Sequence, residues 1–180
     1  MSDAAGPELV RSTVEFESHV FDVSRDVIRF PDGFEAERAV VIHPGAVALV
    51  VVGDDGRWLL VRQYRHPARR ELLEIPAGTR DGDESPEETA AREIREETGY
   101  SAATLVRLGG TWMAPGFCTE YITYFLATGL HADPLPADDD EYLSPPVRMT
   151  VAEIHAAIDR GEIEDAKTLV ALMLYERTRR

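Results

Sequence analysis

The run AVALVVV at residues 46–52 sharply limits the fold. Its seven residues are too few to cross a bilayer as a helix and suit a well-buried strand. The turn signal GDDG follows, and then RWLLVRQYR, a second run of apolar, aromatic and β-branched residues. Together they predict a hairpin with a deeply buried first strand. Another short strand, ELLEIPAG, leads directly into an acidic segment.

Upstream, VEFESHVFDVSRDVIRF reads as extended structure broken by PDGF at 31–34, with a further strand near 39–42. This predicts an N-terminal antiparallel pair. Residues 1–12 have little pattern and are expected to form a loose arm. Downstream, LVRLGGTWM and YITYFLAT are expected strands joined by the turn-rich APGFCTE. The polar stretch GLHADPLPADDDEYLSPP is too long for a plain connection and is read as a functional or mobile loop. Two helices close the chain. The first opens with the capping box Thr150 and Glu153 and stops at Gly161, and the second begins near Asp165 with Leu169, Leu172 and Met173 on one core-facing side.

A chain of 180 residues is expected to form one compact domain. Its net charge of −14 argues against broad nucleic-acid or anionic-membrane binding. An anionic ligand would therefore need metal cations to help hold it. A single cysteine, Cys118, excludes an internal disulfide and fits a reducing compartment. The first residues lack a basic flank followed by an apolar stretch, so export is not expected and the location is read as cytoplasmic.

The segment GTRDGDESPEETAAREIREETGY, residues 78–100, concentrates glutamates on one helix. Ser85, Pro86 and Glu88 fit Ncap, N1 and N3, and Gly99 fits C′, so the helix is expected from about Pro86 to Thr98. At about 100° per residue, Glu93, Glu96 and Glu97 share an arc of about 100°, while Ala91, Ile94 and Thr98 form a neighbouring arc suited to a sheet. Like charges at this spacing repel. A divalent cation would reverse the cost, and hard carboxylate oxygens suit Mg²⁺. The alternative is a solvated charged face. Glu87 and Glu88 are sufficiently explained by capping and the helix dipole.

Gly78, Glu84 and the run Arg92-Glu93-Ile94-Arg95-Glu96-Glu97-Thr98-Gly99-Tyr100 resemble the Nudix box at its fixed polar and glycine positions, with Tyr100 replacing the commoner aliphatic residue. HPGAVALVVV, LVRQYRHPARRELLEIPAG, MAPGFCTEY and GEIEDAKTLVALMLYE extend the resemblance, which is to the ADP-ribose pyrophosphatase branch. Pro115 stands 115 − 99 = 16 positions after Gly99, the spacing that marks this branch.

The resemblance implies an α/β fold, a Nudix-type α/β/α sandwich with a mixed sheet plus an N-terminal antiparallel β-sheet region. Residues 13–43 would serve dimerisation and the adenosine site, and residues 44–180 would form the hydrolase domain. The implied reaction is Mg²⁺-dependent hydrolysis of ADP-ribose to AMP and ribose 5-phosphate, with Mn²⁺ as a substitute cation. Glu93, Glu96 and Glu97, with the Ala77 carbonyl, would bind metal. Glu97 is also a catalytic candidate, and Glu141 or Glu120 would supply the base. Arg65 and Glu74 match positions that hold the diphosphate and its metal, and Arg38, Pro115 and Gly116 are further substrate-binding candidates. Phe21 and Phe34 are candidate adenine-stacking residues. Arg92 would orient neighbouring glutamates, and Glu84 would brace the loop or reach the metal through water. A homodimer is expected, with no nucleic-acid or membrane partner. The rival readings are another nucleoside diphosphate derivative as substrate, such as a nucleotide sugar or FAD, and a sensor that binds ADP-ribose without cutting it.

Overall fold

A computed structural model describes residues 6–136 and 145–179. The chain divides into two units, Met1–Gly45 with Trp112–Glu120, and Ala46–Thr111 with Tyr121–Arg180.

The larger unit is built on strands β4 (Ala46–Val52), β5 (Trp58–Arg65), β6 (Arg70–Glu74), β7 (Ala77–Thr79), β8 (Tyr100–Trp112), β9 (Tyr121–Ala132) and β10 (Val147–Met149). The sheet order is β10-β5-β4-β9-β8, with β6 paired to β5 and β7 to β4. The expected hairpin is present: β4 and β5 are antiparallel, and the Gly53 N–H donates to the Arg57 carbonyl at 2.9 Å across the turn. β4 also runs parallel to β9 and antiparallel to β7, so the sheet is mixed.

Strand alternation divides β4 between two layers. Val47, Leu49 and Val51 form one core with Leu59, Phe125 and Ala127, joined by Ala90 and Ile94 of helix α1 (Pro86–Thr98). Helix α3 (Ala166–Thr178) lies against β4 and β9, and helix α2 (Val151–Asp159) lies beside β10. This is the α/β/α sandwich expected from the sequence. β4 is buried along almost its whole length because helices take both of its faces. Each such Val or Leu contributes about 1.5–3 kcal/mol of burial.

The terminal helices require one correction. The capping box of Thr150 and Glu153 forms as expected, and Gly161 takes φ 69° just beyond α2. In α3, however, the buried residues are Lys167, Thr168, Ala171 and Leu172, whereas Leu169 and Met173 are exposed. Apolar residues surround this helix, so their spacing alone did not decide which side packs.

The smaller unit is a three-stranded antiparallel sheet, β1 (Glu8–Phe16), β2 (Asp22–Arg29) and β3 (Glu35–Ile42). The loose arm expected over 1–12 is thus corrected: a regular strand begins at Glu8, and the expected pair is a triplet. Every residue of β1 is exposed, so burial imposed no legible alternation on it. Its ladder to β2 is supported by Ser12 donating to Asp26 at 2.6 Å and by the Arg25–Glu15 ion pair. Residues 117–119 run parallel to the end of β3. The Val41 N–H donates to the Phe117 carbonyl at 2.8 Å, and the Thr119 N–H donates to the Val41 carbonyl at 2.9 Å.

Among the described residues, no helix is long and apolar enough to cross a membrane.

Candidate active site

The acidic helix has the boundaries its caps predict. The Ser85 hydroxyl accepts the Glu88 N–H at 3.2 Å, and the Glu88 carboxylate accepts the Ser85 N–H at 2.8 Å. At the other end Gly99 takes φ 77° and donates to the Arg95 carbonyl at 3.1 Å, a left-handed closure that favours glycine.

Its orientation is not quite the expected one. Ala90, rather than Ala91, faces the sheet beside Ile94, and Ala91 is exposed. Because the buried arc is turned this way, it includes Glu93 at 6% exposure and Glu97 at 4%. These two carboxylates are therefore set into the protein rather than spread over a solvated face. Glu96 is partly buried next to them.

Strand β7 supplies the other wall. The Ala77 N–H donates to Glu97 Oε2 at 3.0 Å. At Gly78, an added β-carbon would lie 1.8 Å from Glu93 Oε1, so the carboxylate occupies the space a side chain would take. This gives the glycine a steric role.

Arg92 ties the acids together. It donates through Nε and Nη2 to the two Glu84 oxygens at 3.1 and 3.0 Å, through Nη1 to Glu93 at 2.7 Å and Glu96 at 2.8 Å, and through Nη2 to the Thr79 carbonyl at 3.1 Å. The hydrogen bond from Arg92 holds the Glu84 carboxyl down to about 2, with the Asp81 N–H and Thr89 hydroxyl adding to it against the opposing effect of burial. Hydrogen bonding to Glu84, the charge of Glu93 and hydrogen bonds to Glu96 and Glu93 outweigh burial and push the Arg92 guanidinium further toward its charged form. The Glu84 carboxylate accepts from the Asp81 N–H, the Thr89 hydroxyl and Arg92.

Among the described residues, no three His, Cys, Asp or Glu side chains already converge as a metal cage. Arg92 instead holds an oxygen of both Glu93 and Glu96. The donor chemistry nonetheless fits a hard divalent cation, with three carboxylates on one helix face against a glycine-lined strand.

A second group of charges in the same unit surrounds the end of β5. Arg65 donates to Glu74 through Nε at 3.1 Å and through Nη2 at 2.8 Å. Glu74 is 1% exposed and also accepts from Lys167 Nζ. Lys167 in turn pairs with Asp165 at 3.1 Å. Burial opposes the charge on Glu74, but the hydrogen bond from Arg65 and the positive charges of Lys167 and Arg65 outweigh it and hold its pKa below the usual value. Burial likewise opposes the Arg65 charge, and Glu74, Glu97 and Asp165 outweigh it. Glu74, a candidate for holding the diphosphate and its metal, is buried, and both its oxygens are engaged by Arg65 and Lys167.

Arg38, Pro115 and Gly116 line an open groove of about 410 Å³ in the smaller unit. Trp112 and Phe117 also line it and were not anticipated as site residues. Their aromatic faces were the available signal. Of the stacking candidates, Phe34 is 63% exposed and stacks on Phe30, while Phe21 is tilted against Phe16. Glu120 belongs to this unit too, its carbonyl accepting the Met113 N–H at 3.2 Å. Glu141 lies outside the described residues. Lys167 was also missed, and its signal was one lysine at helical spacing with Ala171.

The family model for the NUDIX domain matches residues 42–172. The chain is similar to an ADP-ribose pyrophosphatase of Bacillus subtilis (strain 168), at 36% identity over 87% of this chain and 85% of that protein. It is similar as well to an ADP-ribose pyrophosphatase of Mycobacterium tuberculosis (strain ATCC 25618 / H37Rv), at 38% identity over 92% of this chain and 81% of that protein. A crystal structure of an ADP compounds hydrolase superposes with a TM-score of 0.85 at 26% identity, covering 98% of this chain and 96% of the other.

Proposed function

The chain belongs to the Nudix family, and from that membership we propose that it hydrolyses the diphosphate bond of ADP-ribose to AMP and ribose 5-phosphate. The observation that carries this reading is the recessed pair Glu93 and Glu97 against Ala77 and Gly78. Similarity to two ADP-ribose pyrophosphatases supports the substrate.

Nudix hydrolases in general need a divalent metal. We take it to be Mg²⁺, with Mn²⁺ as a substitute, held by Glu93, Glu96, Glu97 and the Ala77 carbonyl. When bound, it supplies positive charge against the diphosphate oxygens and makes water a better nucleophile.

The protein's own groups do the remaining work. Arg65 donates charge-assisted hydrogen bonds to the diphosphate. Arg92 sets the direction of Glu93 and Glu96. In the chemical step a water oxygen bonds to phosphorus as the bridging P–O bond breaks, and the water proton passes to a carboxylate, Glu141 or Glu120. The bridging oxygen leaves on the departing phosphate. Arg38, Pro115 and Gly116 are assigned to the nucleoside end, where Trp112 and Phe117 offer aromatic faces.

The protein is further proposed to be a cytoplasmic homodimer. Leu9, Val14 and Phe16 stand exposed on β1, which is an edge strand. Such an apolar edge calls for a partner, and a second copy of the same sheet would cover it.

The direct test is a substrate panel with Mg²⁺ covering ADP-ribose, GDP-mannose, FAD, diadenosine polyphosphates and nucleoside triphosphates, with products weighed by mass spectrometry. ADP-ribose should give AMP and ribose 5-phosphate at the highest kcat/KM. Turnover of triphosphates alone would overturn the assignment.

A further inference from the structure

Lys167 is a buried cation that the reaction described above leaves without a role. Its side chain is 9% exposed and sits in the first turn of α3. Desolvating an ammonium is costly unless it is well paired, so its partners carry the meaning. Those partners are Glu74 and Asp165. Asp165 is fixed in turn as the N-cap of α3, accepting from the Thr168 N–H at 2.9 Å and the Thr168 hydroxyl at 2.6 Å. The Thr168 hydroxyl also accepts the Ile75 N–H at 3.0 Å, which binds the residue after Glu74 to the same helix end.

A continuous line of alternating charge results: Asp165, Lys167, Glu74, Arg65. The first three are largely buried, and Arg65 emerges at 37% exposure. Its Nε and Nη2 face Glu74, and no hydrogen bond among the described residues uses Nη1. The line therefore has one rigid end and one end open to a ligand.

We infer that Lys167 is a positioning residue for the diphosphate-binding arginine: it anchors Glu74, and Glu74 fixes the Arg65 guanidinium so that Nη1 is left for a phosphate oxygen. This rests on the diphosphatase reading proposed above. Preorganised charge is worth more than the same charge on a free side chain, because no orientation is lost when the anion arrives. Without Lys167, Glu74 keeps Arg65 but loses its own anchor, and the arginine is aimed less narrowly.

The test is a double-mutant cycle on the full chain with ADP-ribose and Mg²⁺. Lys167→Met should lower kcat/KM about 10- to 100-fold. In a R65A background the same substitution should cost almost nothing, because the group it positions is gone. A merely structural lysine would cost the same factor in both backgrounds, and that result, or full activity in K167M alone, overturns the proposal. Lys167→Arg should recover part of the loss. If K167M fails to fold, the pair Glu74→Gln with Lys167→Met removes both buried charges and takes its place in the cycle. Absence of ADP-ribose turnover by the wild type would instead strike at the function itself, and the cycle is then read on whichever diphosphate the wild type cleaves.

Discussion

The Glu93 carboxylate rests on the backbone of Gly78, where a β-carbon would lie within 1.8 Å of its Oε1 and 2.3 Å of its Oε2. A glycine in β7 thus sets the position of an acid in α1. Gly78→Ala should push Glu93 out of its recess at a cost of about 1–3 kcal/mol in stability. Activity should fall by at least about 100-fold, because a proposed metal ligand is displaced. Steady-state kinetics over a range of metal concentration, beside a thermal melt, separates the two effects. Unchanged kinetics in G78A would show that Glu93 does not need this seat.

Glu84 should make the protein acid-sensitive. Its carboxyl falls from an ordinary value of 4.5 to about 2 in the folded protein, with the Arg92 hydrogen bond as the main cause. A depressed acid stabilises the fold above its unfolded pKa and loses that contribution as pH falls through the folded one. Stability should therefore decline between about pH 4.5 and 2. Glu84→Gln should flatten that part of the curve, as read by urea midpoints at successive pH values.

Ile94 is 1% exposed and fixes α1 against the central sheet. Ile94→Ala should cost about 2–5 kcal/mol. Because the same helix carries Glu93, Glu96 and Glu97, metal affinity should fall as well. Equilibrium unfolding measures the first effect, and metal titration of the folded fraction measures the second.

The exposed apolar edge at β1 predicts a solution dimer. Leu9→Glu with Phe16→Glu should move the mass measured by light scattering from two chains to one. These side chains are 57% and 55% exposed, so the single chain should keep its fold. A monomeric wild type would remove the proposed interface.

Much of this was legible because it is local. The boundaries of α1 follow from Ser85, Glu88 and Gly99, whose roles depend only on near neighbours in sequence. The β4–β5 hairpin follows from its turn and its apolar runs. β1 was less legible, since a strand exposed along its length carries no burial pattern. Helical spacing placed Glu93, Glu96 and Glu97 together but did not fix the rotation of α1, so the expected sheet-facing arc holds Ala91 where Ala90 is the buried alanine. Lys167 was hidden for another reason: a lysine reads as a solvated residue until a distant carboxylate, here Glu74, is brought to it.

The most direct test of the metal-dependent account is titration of the folded protein with Mg²⁺ or Mn²⁺, alone and with a non-hydrolysable ADP-ribose analogue. Wild type should bind cation saturably and more tightly with the analogue present. Glu97→Gln should lose that binding and at least about 100-fold in activity while keeping its melting temperature or gaining a little from relieved repulsion. Folded wild type without saturable binding, or E97Q binding and turning over as wild type does, would contradict the account.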